Sequence, residues 1–180
     1  MNTKKQEGPA MFDAVAKFAG ITLQVDHINR PRTETSDNVM AIFQEEQPFM
    51  WEFVKGDLAN TIATVRGSID FLDVGTGSGV WSILVAKHVG PKNIVAIDKS
   101  PRAIIEAAAN AKRNWVSFKL QEEFYNMGSA PSYSAKAIGI YAPYHLYPPE
   151  IEAAMPQHAR GGWNGQQVFK EQLTTANYHL

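Results

Sequence analysis

Three carboxylates in the middle of the chain, Asp73, Asp98 and Glu122, each close or follow a short apolar run, and the first leads directly into Gly75-Thr76-Gly77-Ser78-Gly79. Glycines in such a turn permit positive φ and let a ligand approach the backbone, while a following helix offers N–H groups at its start. The glycines are spaced G-x-G-x-G, with Val80 where a dinucleotide loop would place its third glycine. Asp73 stands directly before the turn, where a carboxylate meets an ammonium group and repels a pyrophosphate. Asp98 lies roughly 20 residues beyond the glycines, the spacing at which an acidic side chain accepts from ribose hydroxyls. Glu122, after the next apolar run, is placed to accept from an adenine amino group. Singly, Asp73 or Asp98 reads equally well as the cap of a helix or turn. Together and in this order the three describe a ligand with a cation, a ribose and an adenine. S-adenosylmethionine carries all three and is the expected cofactor.

The elements that position these residues follow from periodicity. Ile69 to Val74 is a short apolar run closed by glycines, as in a strand buried on both faces. Val80 to Val89 is helical in pattern and is stopped by Gly90-Pro91. Asn93 to Asp98 is a second strand, and Ser100-Pro101 then supplies an N-cap with proline at the first helical position of an alanine-rich helix reaching about Asn114. Val116 to Leu120 alternates as a third strand, Ala137 to Ile140 reads as a fourth, and Gln166 to Leu173 is helical. This alternation predicts a parallel sheet with right-handed crossovers, a Rossmann-like α/β domain over residues 67–180. Residues 1–66 form an N-terminal extension, mainly helical. It begins with a loose tail to residue 10 and a short helix over Phe12–Phe18 ended by Gly20, followed by one strand over Ile21–Val25. The polar stretch 30–37 then leads to a helix carrying Val39, Met40, Ile42 and Phe43, which Pro48 should break. Another helix is expected over Phe49–Val65.

Composition narrows the chemistry. At 180 residues, with 44% hydrophobic and 19% charged residues, the chain has the size and balance of one globular domain. A formal net charge of −1 gives no global attraction for nucleic acid or an anionic membrane. The absence of cysteine excludes disulfides, thiolate metal sites and a cysteine nucleophile. No apolar run approaches the roughly 20 residues of a membrane span, and residues 1–9 lack a signal-peptide core, so a cytoplasmic location is expected. The five histidines, His27, His88, His145, His158 and His179, have no metal-ligand spacing, and no metal is expected. Ser78 fails the spacing of a nucleophile elbow.

On these residues the chain resembles the class I methyltransferases, most closely the HemK-type protein-glutamine branch. Phe71 to Gly79 is similar to that family's first motif, and Val95 to Ala103 with Asn110 to Arg113 is similar to its second-strand segment. Upstream, Pro31-Arg32-Thr33-Glu34-Thr35 resembles its P-R-x-E-T motif. Downstream, Gly161-Gly162-Trp163-Asn164-Gly165 with Val168-Phe169 resembles its glycine-rich segment. The resemblance implies a cofactor site of Asp73, Gly75, Thr76, Gly77, Gly79, Asp98, Lys99 and Glu122. It also implies a catalytic loop at Tyr141, Pro143 and Tyr144, and methyl transfer to a nitrogen of a protein or nucleic acid.

The resemblance carries two departures. The family's catalytic loop reads N-P-P-Y, its asparagine and a backbone carbonyl accepting from the nitrogen to be methylated, whereas this chain reads Tyr141-Ala142-Pro143-Tyr144. A phenol lacks the paired donor and acceptor of a carboxamide. Tyr141, Tyr144 and Tyr147 read alternatively as an aromatic cluster at the sheet edge. The resemblance also implies a class I methyltransferase sheet of seven strands, of which four are legible, so the sheet is expected to be truncated after its fourth core strand. That strand would need covering by Ile21–Val25, by a second copy of the chain in a homo-oligomer, or by a partner protein. The leading expectation is therefore an S-adenosylmethionine-dependent methyltransferase. The alternative is a catalytically impaired cofactor-binding module acting as a subunit, and a nicotinamide dehydrogenase ranks last.

Overall fold

A computed structural model of the chain describes residues 14–26, 39, 46–122, 134–143, 148–152, 160–162 and 164–179. Four parallel strands form its main sheet: β3 (Ile69–Val74), β4 (Ile94–Asp98), β5 (Lys119–Glu122) and β6 (Ala135–Ile140), in the spatial order β5-β4-β3-β6. Renumbered from β3 this is 3-2-1-4, the order found at the centre of a doubly wound Rossmann sheet. The expected α/β fold is thus present.

Central position explains the composition of β3 and β4. Every residue of β4 is buried, as are all but one of β3, which suits near-continuous apolar runs over alternating ones. Phe71 and Ile94 enter one core cluster with Ile83, Leu84, Trp51 and Leu23. Leu72, Val74, Val95 and Ile97 enter a second cluster on the opposite face. The helix α2 (Val80–His88) follows the glycine turn, and α3 (Pro101–Arg113) is capped by Ser100, whose side chain accepts from the Ala103 amide at 3.3 Å.

The segment before residue 26 differs from expectation. Residues over which a helix was expected form a strand, β1 (Ala14–Phe18), antiparallel to β2 (Ile21–Val25). Ala19 and Gly20 between them both have positive φ, 45° and 71°. A two-residue turn of that kind matches the twist of paired strands, and pairing places Ala16 opposite Leu23 in the core. The hairpin does not cover the edge of β6. Its β2 side packs instead on α3, where Asn114 exchanges two hydrogen bonds with the backbone of Thr22 (2.8 and 2.7 Å) and Asn110 two with that of Gln24 (2.8 and 2.9 Å). One helical turn on α3 thereby matches two residues of β2, so side-chain amides replace a neighbouring strand. Among the described residues no strand pairs with the outer edge of β6.

The helix α1 (Glu46–Thr64) contains Pro48 instead of ending at it. Proline in a first turn removes an N–H that has no intrahelical acceptor, so the helix is unbroken. The proposed helix around Met40, Ile42 and Phe43 lies outside the described residues, as does Pro31–Thr35. The third strand starts later than expected, at Lys119 in place of Val116. Bonds from Trp115 N to Lys112 O and from Val116 N to Ala111 O wind α3 into a left-handed C-terminal turn, with Trp115 at φ 59°, and this consumes the intervening residues. Beyond β6 lie a short helix α4 (Pro149–Glu152) and α5 (Gln167–Asn177), which packs on β6. No helix among the described residues is long and apolar enough to cross a membrane.

Candidate functional site

Parallel pairing brings the expected site residues to one end of the sheet. In the register, Val74 lies opposite both Ile97 and Ile140, and Asp98 lies opposite Glu122. One residue further along each strand, Gly75, Asp98, Glu122 and Tyr141 stand at the same level on the carboxyl edge. Chain order reverses between β3 and β6, so this edge includes the crevice where open α/β sheets bind ligands.

Asp73 is buried just below this level and holds the turn together. Its Oδ2 accepts from Thr76 Oγ1 at 2.7 Å, Ser82 Oγ at 2.7 Å and Ser82 N at 3.2 Å. Burial raises the Asp73 carboxyl above its ordinary range; these bonds oppose the shift, and the nearby Asp98 adds to it.

The turn spends its own amides internally. Gly75 N and Thr76 N both donate to Ile97 O, at 2.9 and 3.0 Å, and Gly79 N donates to Thr76 O at 2.9 Å. Gly77 N donates to Asp98 Oδ2 at 2.9 Å. The N–H groups of Gly75, Thr76, Gly77 and Gly79 are therefore already engaged. A phosphate nest needs amides converging on an anion, and these four do not supply them. Close packing fixes Gly79 in particular. Its φ is 81°, and a Cβ there would lie 3.1 Å from that of Ala107 on α3.

Asp98 links the turn to the next helix, since its Oδ1 accepts from Ser100 N at 2.9 Å while Oδ2 holds Gly77. Burial raises its carboxyl as well, against the pull of the Ser100 and Gly77 amides and the charge of half-buried Lys99. Glu122 ends β5 and is exposed. Two ionisable carboxyls under one turn, with a third beside them at the surface, make this edge electronegative.

The end of β6 is built differently. Tyr141 follows β6 directly, is half-buried, and its phenol donates to Glu46 Oε1 at the start of α1. The phenol is thus tied to a helix 95 residues away in sequence. Pro143 is half-buried in the same loop, and Tyr144 and Tyr147 lie outside the described residues, as do His27, His145 and His158.

Ser82 and Glu46 take part in these arrangements and were not singled out in the sequence. Ser82 carried a usable signal, a hydroxyl in the first turn of the helix after the glycines, whereas Glu46 depends on a contact across the fold. Among the described residues no group of three or more histidine, aspartate or glutamate side chains could hold a metal ion.

Known proteins resemble the part of the chain that holds this site. Residues 58–138 match the family described as Ribosomal protein L11 methyltransferase (PrmA), a range holding the glycine turn, Asp98 and Glu122 and ending before Tyr141. The chain is 37% identical over 78 residues to the ribosomal protein L11 methyltransferase of Dictyoglomus thermophilum, covering 43% of this chain and 26% of that one. It is 49% identical over 57 residues to the protein of the same name from Pelotomaculum thermopropionicum, covering 32% and 18%. The chain therefore spans about a quarter or less of the length of these relatives. Among solved structures, a ribosomal protein L11 methylase from Lactobacillus delbrueckii subsp. bulgaricus aligns at TM-score 0.34 and 30% identity, over 44% of each chain.

Proposed function

We propose that the chain binds S-adenosylmethionine at the carboxyl edge of β3, β4 and β5 and transfers its methyl group to a nitrogen of a protein acceptor. The observation that carries this reading is the use of the turn amides. Gly75, Thr76, Gly77 and Gly79 give their N–H groups to Ile97, Asp98 and Thr76, so the edge presents carboxylates where a dinucleotide site would present donors. All described bonds to Asp73 fall on Oδ2, which leaves Oδ1 to face an ammonium group. Asp98 and Glu122 take the ribose and the adenine edge, and Lys99 balances the charge of Asp98.

Bound S-adenosylmethionine supplies a sulfonium whose methyl group is already activated, so the residues of this chain have little acid–base work to do. Their part is to hold donor and acceptor in line at near-attack distance. Tyr141 and Pro143 form the wall on which the acceptor rests. A protein acceptor is favoured over nucleic acid on two grounds. The relatives matching residues 58–138 are named for a ribosomal protein, and the chain's net charge of −1 provides no field for nucleic acid. The HemK-type affinity rests on Pro31–Thr35 and Gly161–Gly165, outside the matched range, and points to a protein acceptor too. A cytoplasmic location accompanies such an acceptor.

A second reading, a cofactor-binding module without catalysis, is favoured by one specific feature. Tyr141 replaces the family's asparagine, and its phenol is engaged by Glu46. Titration calorimetry with S-adenosylmethionine, S-adenosylhomocysteine and NAD, followed by radiolabelled methyl transfer to ribosomal proteins, release factors, RNA and DNA, separates the alternatives. Binding of the first two ligands with label entering protein is the expected result. Binding without transfer selects the second reading, and binding of NAD alone removes both.

A further inference from the structure

The glycine turn is held from above as well as from below. Asp26, the residue after β2, and Arg102, the second residue of α3, form a buried ion pair with side-chain exposures of 3% and 9%. Both guanidinium NH groups of Arg102 donate to it, one to each carboxylate oxygen. Asp26 Oδ2 also accepts from the Val39 amide at 2.9 Å. Val39 is itself buried, and its Cγ1 lies 3.7 Å from where a side chain on Gly77 would begin. Gly77 in turn donates to Asp98, which accepts from Ser100, the cap of the helix that carries Arg102. Contacts therefore run in a closed ring: Arg102, Asp26, Val39, Gly77, Asp98, Ser100 and back into α3.

We infer that the Asp26–Arg102 pair is a positioning pair for the cofactor site, setting Val39 on the open face of Gly77 and so fixing the headroom above the turn. A buried ion pair contributes little net stability against apolar residues of equal volume, because desolvating two charges offsets their attraction. What the two-pronged guanidinium–carboxylate contact does supply is orientation. Here the oriented group is a carboxylate that also holds the Val39 amide. The inference rests on the reading of the glycine turn as the cofactor site, since headroom over Gly77 matters only if a ligand lies there.

The test uses the full chain with Arg102→Lys, Arg102→Met and Val39→Ala, and two measurements. Amide hydrogen exchange in the ligand-free protein should accelerate at Gly77 in the graded order wild type, Arg102→Lys, Arg102→Met, with Leu72 and Val95 in the sheet unchanged. Calorimetry should show S-adenosylmethionine affinity reduced roughly tenfold in Val39→Ala, the effect of losing about two buried carbons, and in the same graded order for the Arg102 variants. Exchange that is unaltered at Gly77, or that accelerates equally at Leu72 and Val95, overturns the inference by making the pair inert or merely general glue. Arg102 variants that respond in exchange, with a wild-type protein that binds no S-adenosylmethionine, uphold the pair and remove the cofactor reading.

Discussion

The two sides of the carboxyl edge are assembled on different principles. On the side proposed to take the cofactor, Asp73 reaches Thr76 and Ser82, three and nine residues away, and Asp98 reaches Gly77 and Ser100. Asp73, and Asp98 at Ser100, meet groups that the next turn or helix places nearby, and Asp98 also reaches back 21 residues to Gly77 across the paired strands β3 and β4. On the side proposed to take the acceptor, Tyr141 reaches Glu46 across 95 residues, and the contact exists only once α1 has packed beside β6. A site made of short-range contacts is prepared by local folding, whereas one made of long-range contacts is open to change as the surrounding elements change. The first side carries the glycine turn and its carboxylates, and the second a tyrosine held by a distant helix.

Breaking the cofactor side should have the largest effect. Asp73→Ala leaves the Thr76 hydroxyl and both Ser82 donors without their acceptor in a buried site, and should cost about 3 kcal/mol in a urea titration, with loss of S-adenosylmethionine binding. A fully stable Asp73→Ala protein that still binds would end the distinction between the two sides.

The second effect is in pH. Burial raises the carboxyls of both Asp73 and Asp98, so each favours folding when protonated. That stability is complete below their ordinary value of 3.8 and is lost as pH rises through their raised values in the folded protein. A cationic ligand reverses the preference by stabilising the ionised forms. The thermal shift produced by S-adenosylmethionine should therefore grow as pH rises through this window. A ligand shift that shrinks as pH rises would place the cation elsewhere.

The smallest structural effect is expected at Tyr141. Tyr141→Phe removes one half-buried hydrogen bond to Glu46, worth about 1 kcal/mol, and should leave S-adenosylmethionine affinity unaltered while changing the rate of methyl transfer. Equal loss of cofactor affinity would show that the two sides are coupled.

The sequence by itself determined the features that depend on neighbours along the chain. The apolar runs of β3 and β4, the capped start of α3 and the glycine turn with its carboxylates were all legible, because strand burial, N-capping and positive φ are local demands. The identity of β1 was not read, although two short segments separated by Ala19-Gly20 carried the signal of a tight hairpin. Nor does periodicity reveal how the turn's amides are used. Gly75 and Thr76 give theirs to Ile97 only because β4 lies beside β3, which changes the turn from an anion cradle into an electronegative shelf. Tertiary structure alone decided that Asp26 and Arg102, 76 residues apart, meet beside the Val39 amide, and that Tyr141 is held by Glu46. Those contacts join surfaces from distant parts of the chain, and packing, unlike spacing, leaves no period in the sequence.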